Sequence, residues 1–285
     1  MKSKTSILGI VFFMLIGVVP FFAAFIYALG YSFGVMGVLN NGFTTRFWES
    51  VFASGEFLKS FGYSAAIALV SLVLSIGGAL WVTLKFRREL DKKFLSFMMY
   101  LPLAIPGVVA GFFMIQLFSK AGFFARIAFQ LGLIEKTAQF PDLVNDSLAF
   151  GIIVAFITML IPFFTLLFLN VYKNERIEEL SILAHALGAN ANQVTRRVFL
   201  PIILKKTGVL IALYFIFLLG AYEVPLILGQ ESPQMLSVLI IRETRQFDLS
   251  KISEGYVVAV MYTLVVSITV ILLFLPKRKK AIYES

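Results

Sequence analysis

Six runs of about 20 apolar residues, each nearly free of charge, constrain this chain more than any other feature. They lie at about residues 7–31, 62–84, 95–118, 148–168, 209–228 and 256–275. About 20 residues of helix cross the roughly 30 Å hydrocarbon core of a bilayer. No water reaches the backbone there, so each crossing segment must satisfy its own N–H and C=O groups. The expected fold class is therefore all-α: a polytopic membrane protein with six transmembrane helices in one membrane domain, 1–285. Composition agrees, since 59% of residues are hydrophobic and 14% are charged, where a soluble domain carries about 25% charged residues. Lys2 and Lys4 precede the first run as they would in a secretory signal. The apolar stretch is too long for one and no clear A-x-A site follows, so an uncleaved span is expected.

The net charge of +9 is explained by topology before any polyanion. Six spans put both termini on one side. That side carries Lys2 and Lys4, then Lys85, Arg87, Arg88, Lys92 and Lys93, and the run 277–280. Lys173, Arg176, Arg196, Arg197, Lys205 and Lys206 complete it, making 17 of the 25 basic residues. Positive charge is retained in the cytoplasm. Both termini and the loop 173–206 are thus expected to be cytoplasmic, and nucleic acid is not an expected partner. The opposite loops, about 33–61, 119–147 and 229–255, are long enough for short interfacial helices, with Phe47 and Trp48 suited to the boundary. There is no internal repeat.

Several chemistries are set aside. The chain has no cysteine and one histidine, His185, a poor endowment for zinc or haem. It has no G-x-x-x-x-G-K-[ST] loop for ATP, and its spans lack the clustered carboxylates, histidines or nucleophile pairs of a membrane-embedded enzyme.

Two spans are interrupted. The third contains LPLAIPGVVAG, with Pro102, Pro106, Gly107 and Gly111; the fifth ends in GAYEVPLILG, with Tyr222, Glu223 and Pro225, followed by Gln230. Proline removes a backbone donor and kinks a helix, and Gly107/Gly111 have the spacing that admits a close helix. Broken helices at membrane depth are tolerated where they are buried in protein or line a cavity. These residues are therefore candidates for a translocation pathway, the alternative being ordinary packing. For Glu223 the alternative is a cap on the outer end of its span.

The polar island Glu178–Pro201 reads as two short amphipathic helices joined at a glycine. Ile177, Leu180, Ala184 and Leu187 form a helical stripe. Gly188 fits a left-handed helix end. Asn190 and Gln193 fit a capping box, and Pro201 fits a bend into the fifth span. Helices this short are marginal alone, so their apolar faces need a partner's cleft or the membrane surface.

At these residues the chain resembles the permease subunits of binding-protein-dependent ABC importers, whose cytoplasmic loop carries E-A-A-x-x-x-G-x(9)-I-x-L-P. Ala184, Gly188, Leu200 and Pro201 match, and Val198 stands for Ile. Ile182 and Leu183 replace the usual Glu and first Ala, while Glu179 and Leu180 match the E-L that often precedes the pattern. The Pro-rich opening of the third span and EVPLILG…PQMLSVLI look like the subgroup importing polyamines, ferric iron, sulfate or molybdate, thiamine and phosphonates. The resemblance implies a prokaryotic inner-membrane permease whose coupling loop is Glu179, Leu180, Leu183, Ala184, Leu187, Gly188, Val198, Leu200 and Pro201. It implies an ATP-binding cassette ATPase dimer that holds the ATP and magnesium, a second permease subunit, identical or homologous, and an extracytoplasmic solute-binding protein. An ion-driven secondary transporter is the competing class; it would normally show two related halves.

Overall fold

The structure, a computed structural model, describes residues 4–275 except Leu39, Asn41 and Asp91. Every regular element among them is helical. Six stretches are long and apolar enough to cross a bilayer: Leu8–Ser32, Glu56–Leu90, Gly107–Gln130, Phe150–Asn174, Ala191–Leu219 and Leu249–Phe274. The expected positions of Lys2 and of the basic run 277–280 lie outside the described residues.

The chain divides into two compact units. In the first, built from residues up to Lys59 and from Val238 onward, the helix Val19–Ser32 packs along Leu249–Phe274. Tyr31 stacks on Tyr256 with ring centres 4.3 Å apart. Charged groups are paired here: Arg242 with Glu56 (3.1 Å) and Glu243 (2.8 Å), and Glu254 with Lys251 (2.6 Å) and the Ser50 hydroxyl (2.8 Å).

The second unit, Ser60–Ser237, holds the larger core. Its centre is the helix Phe150–Asn174, which buries Ile152, Phe156, Leu160, Phe164 and Phe168. Around it lie Ile67, Leu72, Met114, Phe199, Ile203 and Leu228 from other segments. In lipid, close packing between helices replaces the drive to leave water. Gly78 serves that packing, since a Cβ there would sit 2.9 Å from the Ile161 side chain.

Two span boundaries differ from expectation. The third span is not one rod over 95–118. A short apolar helix, Phe94–Ala104, is followed by an extended break at Ile105 and Pro106, and the crossing stretch begins at Gly107. Pro106 forces its predecessor out of the helical region, and Ile105 takes ψ 121°. The fifth span does not run over 209–228. It begins at Ala191 and ends at Leu219; Gly220 closes it, and Glu223–Leu228 forms a separate short helix. Pro225 is tolerated there because the first turn of a helix has no intrahelical use for its N–H groups.

Pro201 lies inside a continuous helical stretch. The second short helix expected from Asn190 is the beginning of the fifth span itself, running on through Pro201. A π-turn at Thr195–Phe199 makes this possible, with the Leu200 N–H donating to the Thr195 carbonyl. Proline gives no hydrogen to the carbonyl four residues back and crowds it, and the wider turn absorbs that misfit. Pro20 is preceded by a similar π-turn, Met14–Val18.

Candidate functional site

The polar island folds as a handle on the second unit. Arg176, at φ 49°, turns the chain sharply after Asn174 and starts the helix Ile177–Ala186. Ile177 is fully buried and joins Tyr172, Phe199 and Ile203 in the core. Lys206 pairs with Glu175 at 2.7 Å and adds an electrostatic tie to the fifth span. At the other end Gly188 takes φ +88°, and its N–H donates to the His185 carbonyl. Asn190 and Gln193 exchange hydrogen bonds at 2.9 Å, so the next helix starts with a capping box. The handle is thus fixed at both ends by local backbone chemistry and pinned at its start by the buried Ile177.

The expected apolar stripe divides between two environments. Ile177 and Ala184 turn inward, while Leu180 and Leu187 are exposed, Leu187 by 81%. Ile182 and Leu183 are 65% and 59% exposed. The handle therefore offers water an apolar face of Leu180, Ile182, Leu183 and Leu187, flanked by the charged Glu178 and Glu179. An exposed apolar patch with a polar rim marks an interaction surface. Glu179 lies 3.9 Å from Arg176, an exposed pair of little energetic weight. Val198 and Leu200 are half-buried against the core, and Pro201 is exposed.

The two interrupted spans meet. The helix Gly107–Phe118 packs against Glu223–Leu228. Gly107 and Gly111 supply the contact, because a Cβ on Gly107 would lie 2.5 Å from Glu223 Oε2 and one on Gly111 would lie 3.1–3.2 Å from Ile227. Glu223 Oε2 accepts the Val108 N–H at 3.1 Å, so a carboxylate satisfies an open donor at a helix N-terminus. The sequence contained the signal for this partnership, an acid beside one break and bare N–H groups after the other, but not the pairing. Ser237 donates its hydroxyl to the Ala221 carbonyl, and Ser64 accepts the Leu236 N–H at 2.8 Å, fixing both flanks of the re-entrant turn.

Other sequence candidates fall around this contact in different environments. Pro225 is buried, Tyr222 and Pro102 are half-buried, and Pro106 is exposed. Gln230 follows the turn, with its side-chain nitrogen buried and without a hydrogen-bond partner.

Six bilayer-length helices, two broken segments joined through a glycine contact and an exposed apolar handle define an integral-membrane transport component. The chain belongs to the family of binding-protein-dependent transport system inner membrane components, whose model matches residues 75–275. It is thus a multi-pass inner-membrane permease subunit of an ABC importer and not itself an enzyme. Its fold is similar to that of a bacterial alginate ABC transporter solved in complex with an alginate pentasaccharide-bound periplasmic protein, with a TM-score of 0.73 and 16% identity over 94% of this chain and 91% of that one. A second similar structure is a bacterial ABC transporter involved in import of the acidic polysaccharide alginate, with a TM-score of 0.65 and 18% identity over 93% and 92%. No curated protein sequence matches the chain.

Proposed function

We propose that the handle Ile177–Gly188 docks on a separate ATP-hydrolysing subunit and that the segments around Gly107 and Glu223 line the pathway the solute takes. The exposed face of Leu180, Ile182, Leu183 and Leu187 carries this reading, because it leaves a large apolar area in a polar loop that none of the described residues covers. Nucleotide closure of an ATPase dimer pulls the docked handles together. The spans fixed to each handle through Ile177 and Phe199 then tilt as rigid bodies, and the pathway opens to the opposite side. ATP and magnesium reside in that partner, a second permease completes the pathway, and an extracytoplasmic binding protein delivers the solute.

The orientation follows from charge. Arg87, Arg88, Lys173, Arg196, Arg197, Lys205 and Lys206 cluster near the helix ends that carry the handle, which supports a cytoplasmic position for that end and, with six spans, for both termini. Glu223 argues against a polyanionic cargo such as the alginate of the two structural relatives, because an exposed carboxylate at the broken segment repels it. A neutral or cationic solute fits.

The test is Leu183→Glu with Leu187→Glu, two exposed positions whose change leaves the fold intact. Purified together with its ATPase and second permease subunits, the double variant is expected to lose the ATPase subunit. A normal yield of the complex would remove the docking assignment. No observation favours ion-driven transport, and uptake by the chain in vesicles without nucleotide would be the result that restores it.

A further inference from the structure

We propose that Phe247 is the aromatic anchor on which the extracytoplasmic solute-binding protein docks. It stands in the first unit, in the tight turn between Thr244, where the helix Leu236–Thr244 ends, and Leu249, where the last span begins. Phe247 is fully exposed, at 105%, more than any other large apolar side chain among the described residues. The assignment rests on the orientation proposed above, since the turn joins two spans on the side opposite the handle.

The turn is built to hold its shape. The Gln246 side-chain amide donates to Glu243 Oε2 at 3.2 Å, tying the turn back to the helix before it. On the other side the Asp248 carboxylate accepts the Ser250 N–H at 3.0 Å and the Ser250 hydroxyl at 2.6 Å, which caps the last span. The base is clamped as well: a Cβ on Gly255 would lie 2.8 Å from the Thr244 side chain and 3.1 Å from Glu243 Cβ, so the two helices approach closely there. A large aromatic presented on a preformed turn loses little freedom when a partner covers it.

The charges below the turn place Phe247 above the lipid. Glu56, Glu243, Lys251 and Glu254 line one small cleft of about 80 Å³, and Arg242 pairs with Glu56 and Glu243 at its edge. Five charged side chains gathered at one level mark the outer limit of the hydrocarbon. The last span has length to spare, because its 26 residues give about 39 Å of helix against a core of roughly 30 Å. Phe247 lies seven residues before Glu254, about 10 Å further out along the helix. The interfacial layer is about 5–7 Å deep on each side, so the ring stands in water rather than among headgroups.

A soluble protein is therefore the partner that fits, and on this side it is the binding protein on which the family depends. One Phe supplies about 150–250 Å² of a contact that needs about 800 Å² per partner. It serves as the buried centre of a wider surface, with the exposed Arg245 and Asp248 on either side as its polar rim.

The complex with its ATPase and second permease subunits, in lipid nanodiscs, is titrated with its binding protein as purified, and binding is read by biolayer interferometry. Phe247→Ala is expected to weaken binding about tenfold, and Phe247→Tyr to keep most of it. Melting temperature and ATPase content stay unchanged in both. The chain has no cysteine, so Phe247→Cys supplies a unique thiol. In proteoliposomes a membrane-impermeant maleimide is expected to reach that thiol from the side opposite the handle, and the binding protein to block it. Full affinity in Phe247→Ala overturns the proposal. Quenching of a bimane on the thiol by brominated lipid overturns it too, making Phe247 a membrane anchor. So does a thiol shielded before any binding protein is added, which would assign it to the second permease. Labelling from the handle's side alone would remove the orientation and the proposal together; the other failures leave the orientation and the ATPase contact standing.

Discussion

Glu223 caps the helix that begins beside Val108: its Oε2 accepts the Val108 N–H at 3.1 Å across 115 positions of sequence. One contact thus joins the two segments that proline and glycine interrupt. It leaves a negative charge at a helix N-terminus, where it is stabilised, and holds that charge at the broken part of the spans.

Two substitutions separate the charge of Glu223 from its position. Glu223→Gln keeps an acceptor for Val108 and removes the charge, at a cost of about 0.3–1 kcal/mol in fold stability. Gly107→Ala keeps the charge but places a methyl 2.5 Å from the carboxylate oxygen, so the side chain must move. Both are expected to lower uptake of a cationic solute by reconstituted complex, with near-normal ATPase binding. Unchanged affinity and uptake in both variants would leave Glu223 as a cap alone.

Gly111 is a packing glycine. Its added Cβ would lie 3.1–3.2 Å from three side-chain atoms of Ile227, tighter than an ordinary contact. Gly111→Ala is expected to destabilise by about 1–3 kcal/mol. Ile227→Ala in the same chain should restore part of that loss, which a thermal-denaturation double-mutant cycle in detergent would read as a coupling between the two positions.

Gly188 is a conformational glycine. Nothing lies within 4 Å of an added Cβ, and only φ +88° opposes a side chain. Gly188→Val should cost about 1–2 kcal/mol locally and turn the handle, so that ATP hydrolysis proceeds with little transport. Gly188→Asn, which tolerates the left-handed region, should stay near normal. The informative measurement is solute moved per ATP consumed, and equal ratios in all three proteins would refute the role of the left-handed turn at Gly188 in coupling.

Ile177 and Leu187 belong to the same stripe but have opposite duties. Ile177→Ala opens a cavity in a fully buried site and is expected to cost about 2–5 kcal/mol. Leu187→Ala, at 81% exposure, should leave the melting temperature unchanged and weaken recovery of the ATPase. Matching thermal losses in the two variants would show that the handle has no outward apolar face.

Much of the site was readable from local chemistry. The left-handed need at Gly188, the Asn190–Gln193 box and the close approach at Gly107/Gly111 are statements about a few adjacent backbone atoms. The continuous helix through Pro201 was not legible because proline has two outcomes. It ends a helix when nothing compensates the missing hydrogen bond, and here the π-turn Thr195–Phe199 compensates. The stripe of the handle was visible as a period, but a period does not say which of its residues face the core.

By itself the sequence determined six helical crossings, because a continuous apolar run of about 20 residues spans lipid as a helix that satisfies its own backbone groups, where a barrel strand needs about half that length. It also determined where the chain must break, because proline and glycine act on their own residues. Only the tertiary structure decided that the break before Gly107 receives the carboxylate of Glu223, and that Ile177 is anchored while Leu187 is presented. Those choices depend on contacts between segments far apart in the chain, and hydropathy, which adds up along the chain, carries no record of them.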